Sequence, residues 1–234
     1  MNIIFDHREQ IAPCIYTFYF RSEKPVQYVA GQYAEFYLPH GGHDARGEHR
    51  WFTLSSMPDE PLLAMTTKFA QSDGSSFKRQ LRALKPGAQL GMTEPMGDFV
   101  LPKDPRVPVV FVVGGIGITP VRSMIAWLHA RGESRPLQLV YAARRPKDLV
   151  FTNLFEAYGL HASPILTNPD GDWQGHTGHL NARHLLEVTG DSKGKLFYFS
   201  GPEPMVEALV AELKQHSVEP YQIVLDYFPG YSQL

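Results

Sequence analysis

Two stretches of this chain combine residue types that suit an anion. One is Arg50-Trp51-Phe52-Thr53-Leu54-Ser55-Ser56. An arginine fork can pair with two phosphate oxygens, and an aromatic ring two positions on lies on the same face of a strand. Alone, this reads better as a surface arginine beside a core aromatic. The other stretch is Val109 to Met124, VVFVVGGIGITPVRSM. Its apolar, mostly β-branched opening reads as a strand buried on both faces. It breaks into Gly114-Gly115-Ile116-Gly117, where missing Cβ atoms permit a tight turn and close backbone approach. Thr119-Pro120 then reads as an N-cap with proline at the first helical position, and Val121, Met124, Ile125 and Leu128 recur at helical spacing. Strand, turn and helix aim free N–H groups and a positive dipole end at whatever lies above the strand, a place for a phosphate. A strict G-x-G-x-x-G is not met, because Pro120 stands where the third glycine would fall. An ordinary strand-to-helix turn fits this stretch as well.

The elements that would position these groups fall into two regions. Up to about Leu101 the sequence reads as all-β, with strand-like segments at Ile11 to Phe20, Gln32 to Leu38, Arg50 to Ser55, Leu62 to Phe69 and Gln89 to Met92. Short glycine, proline and polar turns separate them, as in a sandwich or barrel. One helix, Ser76 to Leu84, interrupts the strands. Pro102 to Pro108 is a proline-rich linker. Beyond it strands alternate with helices: Val109–Val113, Leu137–Ala143, Pro164–Thr167, Leu196–Ser200 and Gln222–Tyr227 against helices in between. That alternation predicts a doubly wound parallel sheet with helices on both faces and ligands at the strands' carboxyl ends. The expected division is residues 1–102 and 103–234.

Composition narrows the function. The 234 residues carry a net charge of −2 with no basic block, which argues against a nucleic-acid partner. No apolar run is long enough to span a bilayer, and the first ten residues, MNIIFDHREQ, lack the pattern of a signal peptide. The expectation is a soluble cytoplasmic protein. The single cysteine, Cys14, excludes an internal disulfide and any four-cysteine cluster within these residues. Three histidines lie between His40 and His49, but the surrounding glycines give that loop little fixed geometry, so a solvated turn is expected and no metal site.

Four blocks in one order resemble the ferredoxin–NADP⁺ reductase superfamily over essentially the whole length. Arg50-Trp51-Phe52-Thr53 is similar to its Arg-x-Tyr-Ser/Thr flavin motif, with Phe52 where tyrosine is usual. Gly74-Ser75-Ser76 opens the barrel helix where the family places its flavin phosphates. Gly114, Gly115, Gly117, Thr119 and Pro120 match its Gly-Gly-x-Gly-x-Thr-Pro. Ser200-Gly201-Pro202, followed by Met205, resembles its Cys-Gly-Pro, with Ser200 replacing the cysteine beside the hydride-transfer site.

The resemblance implies an antiparallel Greek-key β-barrel for flavin followed by the α/β nucleotide domain. It implies FAD in preference to FMN as resident cofactor, although Arg50 and the helix start could equally hold the one phosphate of FMN. The flavin would be held by Arg50, Phe52, Thr53, Leu54 and Ser55, by Thr66, Thr67 and Lys68 along the ribityl edge, and by the helix start. NAD(P)H would be the co-substrate. Arg144 and Arg145 lie where the family recognises the adenosine ribose; pairing with a 2′-phosphate would favour NADPH, while pairing with Asp148 or solvent would not. A terminal aromatic, Phe228 or Tyr231, would cover the flavin. Function then follows as electron transfer from NAD(P)H to a separate ferredoxin, flavodoxin or iron–sulfur domain. The alternatives are a non-catalytic flavin- or nucleotide-binding module and a reductase of free flavin, ferric chelates or quinones.

Overall fold

A computed structural model describes residues 1–42, 44–70 and 74–226. Phe228 and Tyr231 lie outside them, as do His43 and Asp73.

Strands β1 (Asn2–Ala12), β2 (Ile15–Ser22), β3 (Tyr33–Tyr37), β4 (His49–Thr53), β5 (Leu63–Lys68) and β6 (Gln89–Met92) form one antiparallel sheet in the order β4-β3-β6-β1-β2-β5. A bridge between Leu54 and Met65 joins the two edges and closes a barrel. Alternate residues fill it: Phe5, Phe18 and Phe20 pack with ring centroids 5.9 Å apart about Phe5. Helix α1 (Ser76–Ala83) plugs the barrel by burying Phe77 and Leu81. The expected single strand from Ile11 to Phe20 is a correction. The chain turns back within it at Pro13-Cys14, with Cys14 in the left-handed region at φ 61°. Cys14 is therefore a hairpin residue, and the strand before it is longer than any other in the barrel.

Strands β7 (Val109–Gly114), β8 (Leu137–Ala143), β9 (Ala162–Leu166), β10 (His176–Thr177), β11 (Leu196–Ser200) and β12 (Ile223–Asp226) form a parallel sheet in the order β10-β9-β8-β7-β11-β12. Helices α2 (Thr119–Ala130) and α3 (Thr152–Tyr158) cover one face. Helices α4 (Ala182–Thr189) and α5 (Glu203–Leu213) cover the other. The apolar run of β7 is thereby explained: Val109, Phe111 and Val113 enter the first core, Val110 and Val112 the second. The strand order reverses between β7 and β11, and that is where a crevice opens at the carboxyl ends. The two halves are not separate beads, because Ile15, Ala30 and Phe99 share the core that β7 and α2 build.

Candidate cofactor and nucleotide site

At the crevice the glycines are dictated by proximity. A Cβ on Gly117 would lie 2.3 Å from the Ser200 carbonyl oxygen and 2.7 Å from the Gly201 nitrogen. One on Gly114 would meet Met205 Sδ at 2.7 Å and Pro202 Cδ at 2.9 Å, so Met205 packs beneath the turn. Gly115, at φ +52°, has nothing within 4 Å of its missing Cβ and faces open space. Tyr141, fully buried on β8, fixes this residue by donating to the Gly115 carbonyl at 3.1 Å while accepting from the Val150 N–H at 3.4 Å.

Thr119 is a second correction. A 3₁₀ turn, Gly115–Ile118, precedes α2, so Thr119 is the first residue of the helix and not its cap. Its hydroxyl donates to the Ile116 carbonyl at 3.2 Å, and Pro120 occupies the second helical position, where its missing N–H is still harmless.

Across the crevice, Ser200 is 2 % exposed and its hydroxyl donates to Asp226 Oδ2 at 2.7 Å. Burial pushes the Asp226 carboxyl up to about 6, and the Ser200 hydrogen bond only partly opposes this. A carboxyl raised from 3.8 in the unfolded chain adds stability that is full below 3.8 and lost as pH rises through about 6. Asp226→Asn keeps an acceptor for Ser200 and removes the charge. Denaturant unfolding at about pH 4 and about pH 7.5 should show the variant gaining about 2 kcal/mol on the wild type across that interval.

The second cluster gathers on the barrel. Arg50 is 3 % exposed, and its Nη1 donates to the carbonyls of Arg46 (2.8 Å), Gly47 (3.0 Å) and His49 (2.6 Å). Its Nη2 donates to Asp44 Oδ1 at 2.8 Å, while its Nε is buried with no partner among the described residues. Asp44 Oδ2 in turn accepts from the Ser76 N–H at 2.9 Å and the Ser76 hydroxyl at 3.1 Å. Burial works against the Asp44 charge, but hydrogen bonds from Ser76 and Arg46 and the Arg50 charge prevail and hold the carboxyl down at about 2. Ser75 caps α1, accepting from the Lys78 N–H at 3.2 Å. Burial, then the charges of Arg46 and Arg50, push the Lys78 ammonium down to about 8. A cavity of about 330 Å³ adjoins this cluster, lined by Asp44, Arg46, Gly74, Ser75, Ser76 and Arg79 among others.

Phe52 shares its face with Arg50, as expected for alternate strand residues, and packs against Phe36 and Phe77 at 5.7 and 5.9 Å. Thr53, Leu54 and Ser55 are buried, and the N–H groups of Leu54 and Ser55 already pair with Gln32 and Ala64. The Thr66 hydroxyl joins those of Thr17 and Ser55, each at 2.9 Å. Thr67 is buried beside it. Of the loop histidines, His40 Nδ1 lies 2.7 Å from the Leu38 carbonyl and His49 stacks on Tyr37.

Helix α2 bridges the clusters. Arg122 Nη1 donates to the Ser55 carbonyl at 2.7 Å and to Glu60 Oε1 at 2.5 Å. The Ser123 hydroxyl donates to the Ser56 carbonyl at 2.5 Å. The strand bearing Arg50 and the helix behind the glycine turn are thus one unit. To one side, a cleft of about 340 Å³ is lined by Lys68, Phe69, Arg144, Arg145, Lys147 and Asp148 together with the Cys14 turn. Asp148 pairs with Lys68, at 3.5 Å, rather than with either arginine, and Arg145 Nε is buried without a partner among the described residues.

Residues 111–211 match the family of the oxidoreductase NAD-binding domain. The flavohem-like FAD/NAD-binding domain of nitric oxide dioxygenase from Vibrio cholerae superposes with a TM-score of 0.83 at 20% identity, covering 97% of this chain and 98% of that one. A ferredoxin–NADP⁺ reductase from Neisseria gonorrhoeae, solved with FAD and NADP, does so at 0.79 and 16% identity, covering 97% of each. The chain has the two-domain ferredoxin–NADP⁺ reductase fold. In sequence, this chain is 27% identical over 207 residues to the reductase subunit of stachydrine N-demethylase from Rhizobium meliloti, covering 85% of this chain and 58% of that one. It is 28% identical over 228 residues to the reductase component of phenol 2-monooxygenase from a Pseudomonas strain, covering 93% and 62%. The chain therefore spans about three-fifths of the length of these relatives. Among the described residues no helix is long and apolar enough to cross a membrane.

Sequence reasoning missed Asp44, Tyr141, Arg122 and Asp226. Only Asp226 left a signal, as a charged residue ending an apolar strand.

Proposed function

We propose that this chain is an FAD-dependent NAD(P)H oxidoreductase, cytoplasmic, that passes electrons to a separate one-electron acceptor such as an oxygenase component, ferredoxin, flavodoxin or iron–sulfur domain. The observation that carries this is the Arg122–Ser55 and Ser123–Ser56 bonding, which holds an arginine-bearing barrel strand against the helix of a glycine turn. Two anion-binding clusters so joined suit two phosphate-bearing cofactors that must meet.

The residues fit both. Arg50 and the Gly74-Ser75-Ser76 helix start would hold the flavin phosphates, residues 1–102 forming that domain, and the buried Nε of Arg50 has a donor to spare. Gly114, Gly117 and Gly201 leave backbone where any Cβ would intrude, so a nucleotide's pyrophosphate can approach the start of α2. Residues 103–234 would form this second domain. Bound flavin supplies the hydride acceptance and single-electron release that no side chain here can. Ser200 and Asp226 would shape the nicotinamide end of the crevice. Arg144 and Arg145 would meet a 2′-phosphate, the unpartnered Arg145 Nε favouring NADPH. The names of the relatives, reductase parts of a demethylase and a monooxygenase, support a partner oxygenase.

The test is direct. Purified protein should be yellow, and anaerobic NADPH should bleach it faster than NADH. A protein that takes up neither FAD nor FMN would overturn the flavin reading, and a yellow protein that neither nucleotide bleaches would leave a binding module.

A further inference from the structure

The Arg50 cluster holds a feature that a simple phosphate cradle does not need. Asp44 presents two carboxylate oxygens to the same donors that a phosphate would use: Arg50 Nη2 on one side, the Ser76 N–H and hydroxyl on the other. A carboxylate bound to an arginine and to a helix N-terminus is the protein's own nearest equivalent of a phosphate there. Asp44 cannot coexist in this place with a bound phosphate, since two anions would compete for one set of donors at contact distance.

The surroundings are built for more negative charge than Asp44 brings. Arg46 and Arg79 line the cavity, Arg50 bonds Asp44, and Lys78 lies near enough to Arg46 and Arg50 to feel their charge. Asp44 is the only carboxylate lining that cavity among the described residues. The Asp44 side chain is 32% exposed and hangs from a surface loop, with Gly42 and Gly47 in the left-handed region on either side of it. The Arg50 bonds to the Arg46, Gly47 and His49 carbonyls hold the loop itself, so it is the part-exposed Asp44 side chain that would turn out to solvent.

We propose that Asp44 is an internal competitor for the flavin phosphate: it pairs with the Arg50 and Ser76 donors that the phosphate would use and must leave them before a phosphorylated flavin can bind. This rests on the flavin reading above. The latch keeps Arg50 and the start of α1 paired while the cradle waits, so the free protein is held together at the expense of cofactor affinity.

The latch gives opposite signs to two measurements that a merely structural aspartate would move together. Apo-protein carrying Asp44→Asn, and separately Asp44→Ser, should melt at lower temperature than the wild type. Each should bind FAD and FMN about tenfold more tightly in a fluorescence-quenching titration. Riboflavin, which lacks a phosphate, should bind all three proteins alike. Equal or weaker FAD binding by the folded variants, with the wild type binding flavin, would overturn the latch and leave the flavin reading intact. An equal gain for riboflavin would also overturn it. Flavin binding by none of the proteins would overturn both.

Discussion

Gly117→Ala is expected to cost about 3 kcal/mol and to lower the melting temperature by roughly 10 °C. The new methyl carbon would lie 2.3 Å from the Ser200 oxygen, 2.5 Å from its carbonyl carbon and 2.7 Å from the Gly201 nitrogen. All three atoms are backbone, so no side chain can step aside. The ends of β7 and β11 would have to part, which also widens the crevice and should raise KM for the nucleotide. Two neighbours calibrate the claim. Gly114→Ala meets mainly the flexible Met205 and should cost less. Gly115→Ala meets nothing, and only its φ of +52° penalises it, by about 1 kcal/mol. Thermal melts of the three variants should rank Gly117 as by far the worst. A Gly117→Ala melt within a degree or two of the wild type would sink the close-packing argument.

The second large effect concerns the joint. Arg122→Leu removes the donor to the Ser55 carbonyl and the Glu60 partner, leaving Glu60, with a side chain only 18% exposed, without its ion pair to Arg122. Breaking a fully buried pair costs several kcal/mol; here, with a fifth of each side chain in solvent, about 2 kcal/mol is expected. Function should suffer more than stability. Ser55 lies on the segment that continues from Arg50, and α2 follows the glycine turn, so under the proposed function a slack joint would let flavin and nucleotide drift. Because transfer falls steeply with misplacement, anaerobic bleaching should slow by about tenfold or more. Nucleotide affinity should hardly change. The Arg122→Leu, Glu60→Gln double variant should recover part of the stability, since the uncompensated charge is gone, but not the bleaching rate. Bleaching at the wild-type rate in Arg122→Leu would show that the joint does not set the transfer geometry.

What could be read from the chain before its structure depended on how local the cause was. The β7 run, VVFVVG, declares itself because both faces are covered and every residue is apolar. The same locality gave the turn glycines and the helix pattern after them. β1 was misread because its residues from His7 to Gln10 are polar and its hairpin turns on a left-handed cysteine instead of glycine or asparagine. The Thr119 cap failed for a related reason: the signal for a helix start was present, but a 3₁₀ turn from Gly115 already supplied the first bonds. At the site, Arg50 announced itself by type, whereas Asp44 is an ordinary loop aspartate until α1 comes up against it from 32 positions away. Arg122 and Ser55 are 67 positions apart and nothing in either neighbourhood names the other.

The place of β7 in its sheet bears on how the protein is made. Its hydrogen-bonding partners are β8, which follows within a few tens of residues, and β11, which begins only at Leu196. While the chain emerges from the ribosome at about 5–20 residues per second, one edge of VVFVVG stays unpaired for several seconds after β8 has docked. An apolar, β-branched, uncharged edge of this kind is a template for pairing with other chains. The barrel, whose strands all lie before residue 93, can close before that hazard arises. Nascent chains stalled short of β11 are thus the form of this protein most in need of a chaperone.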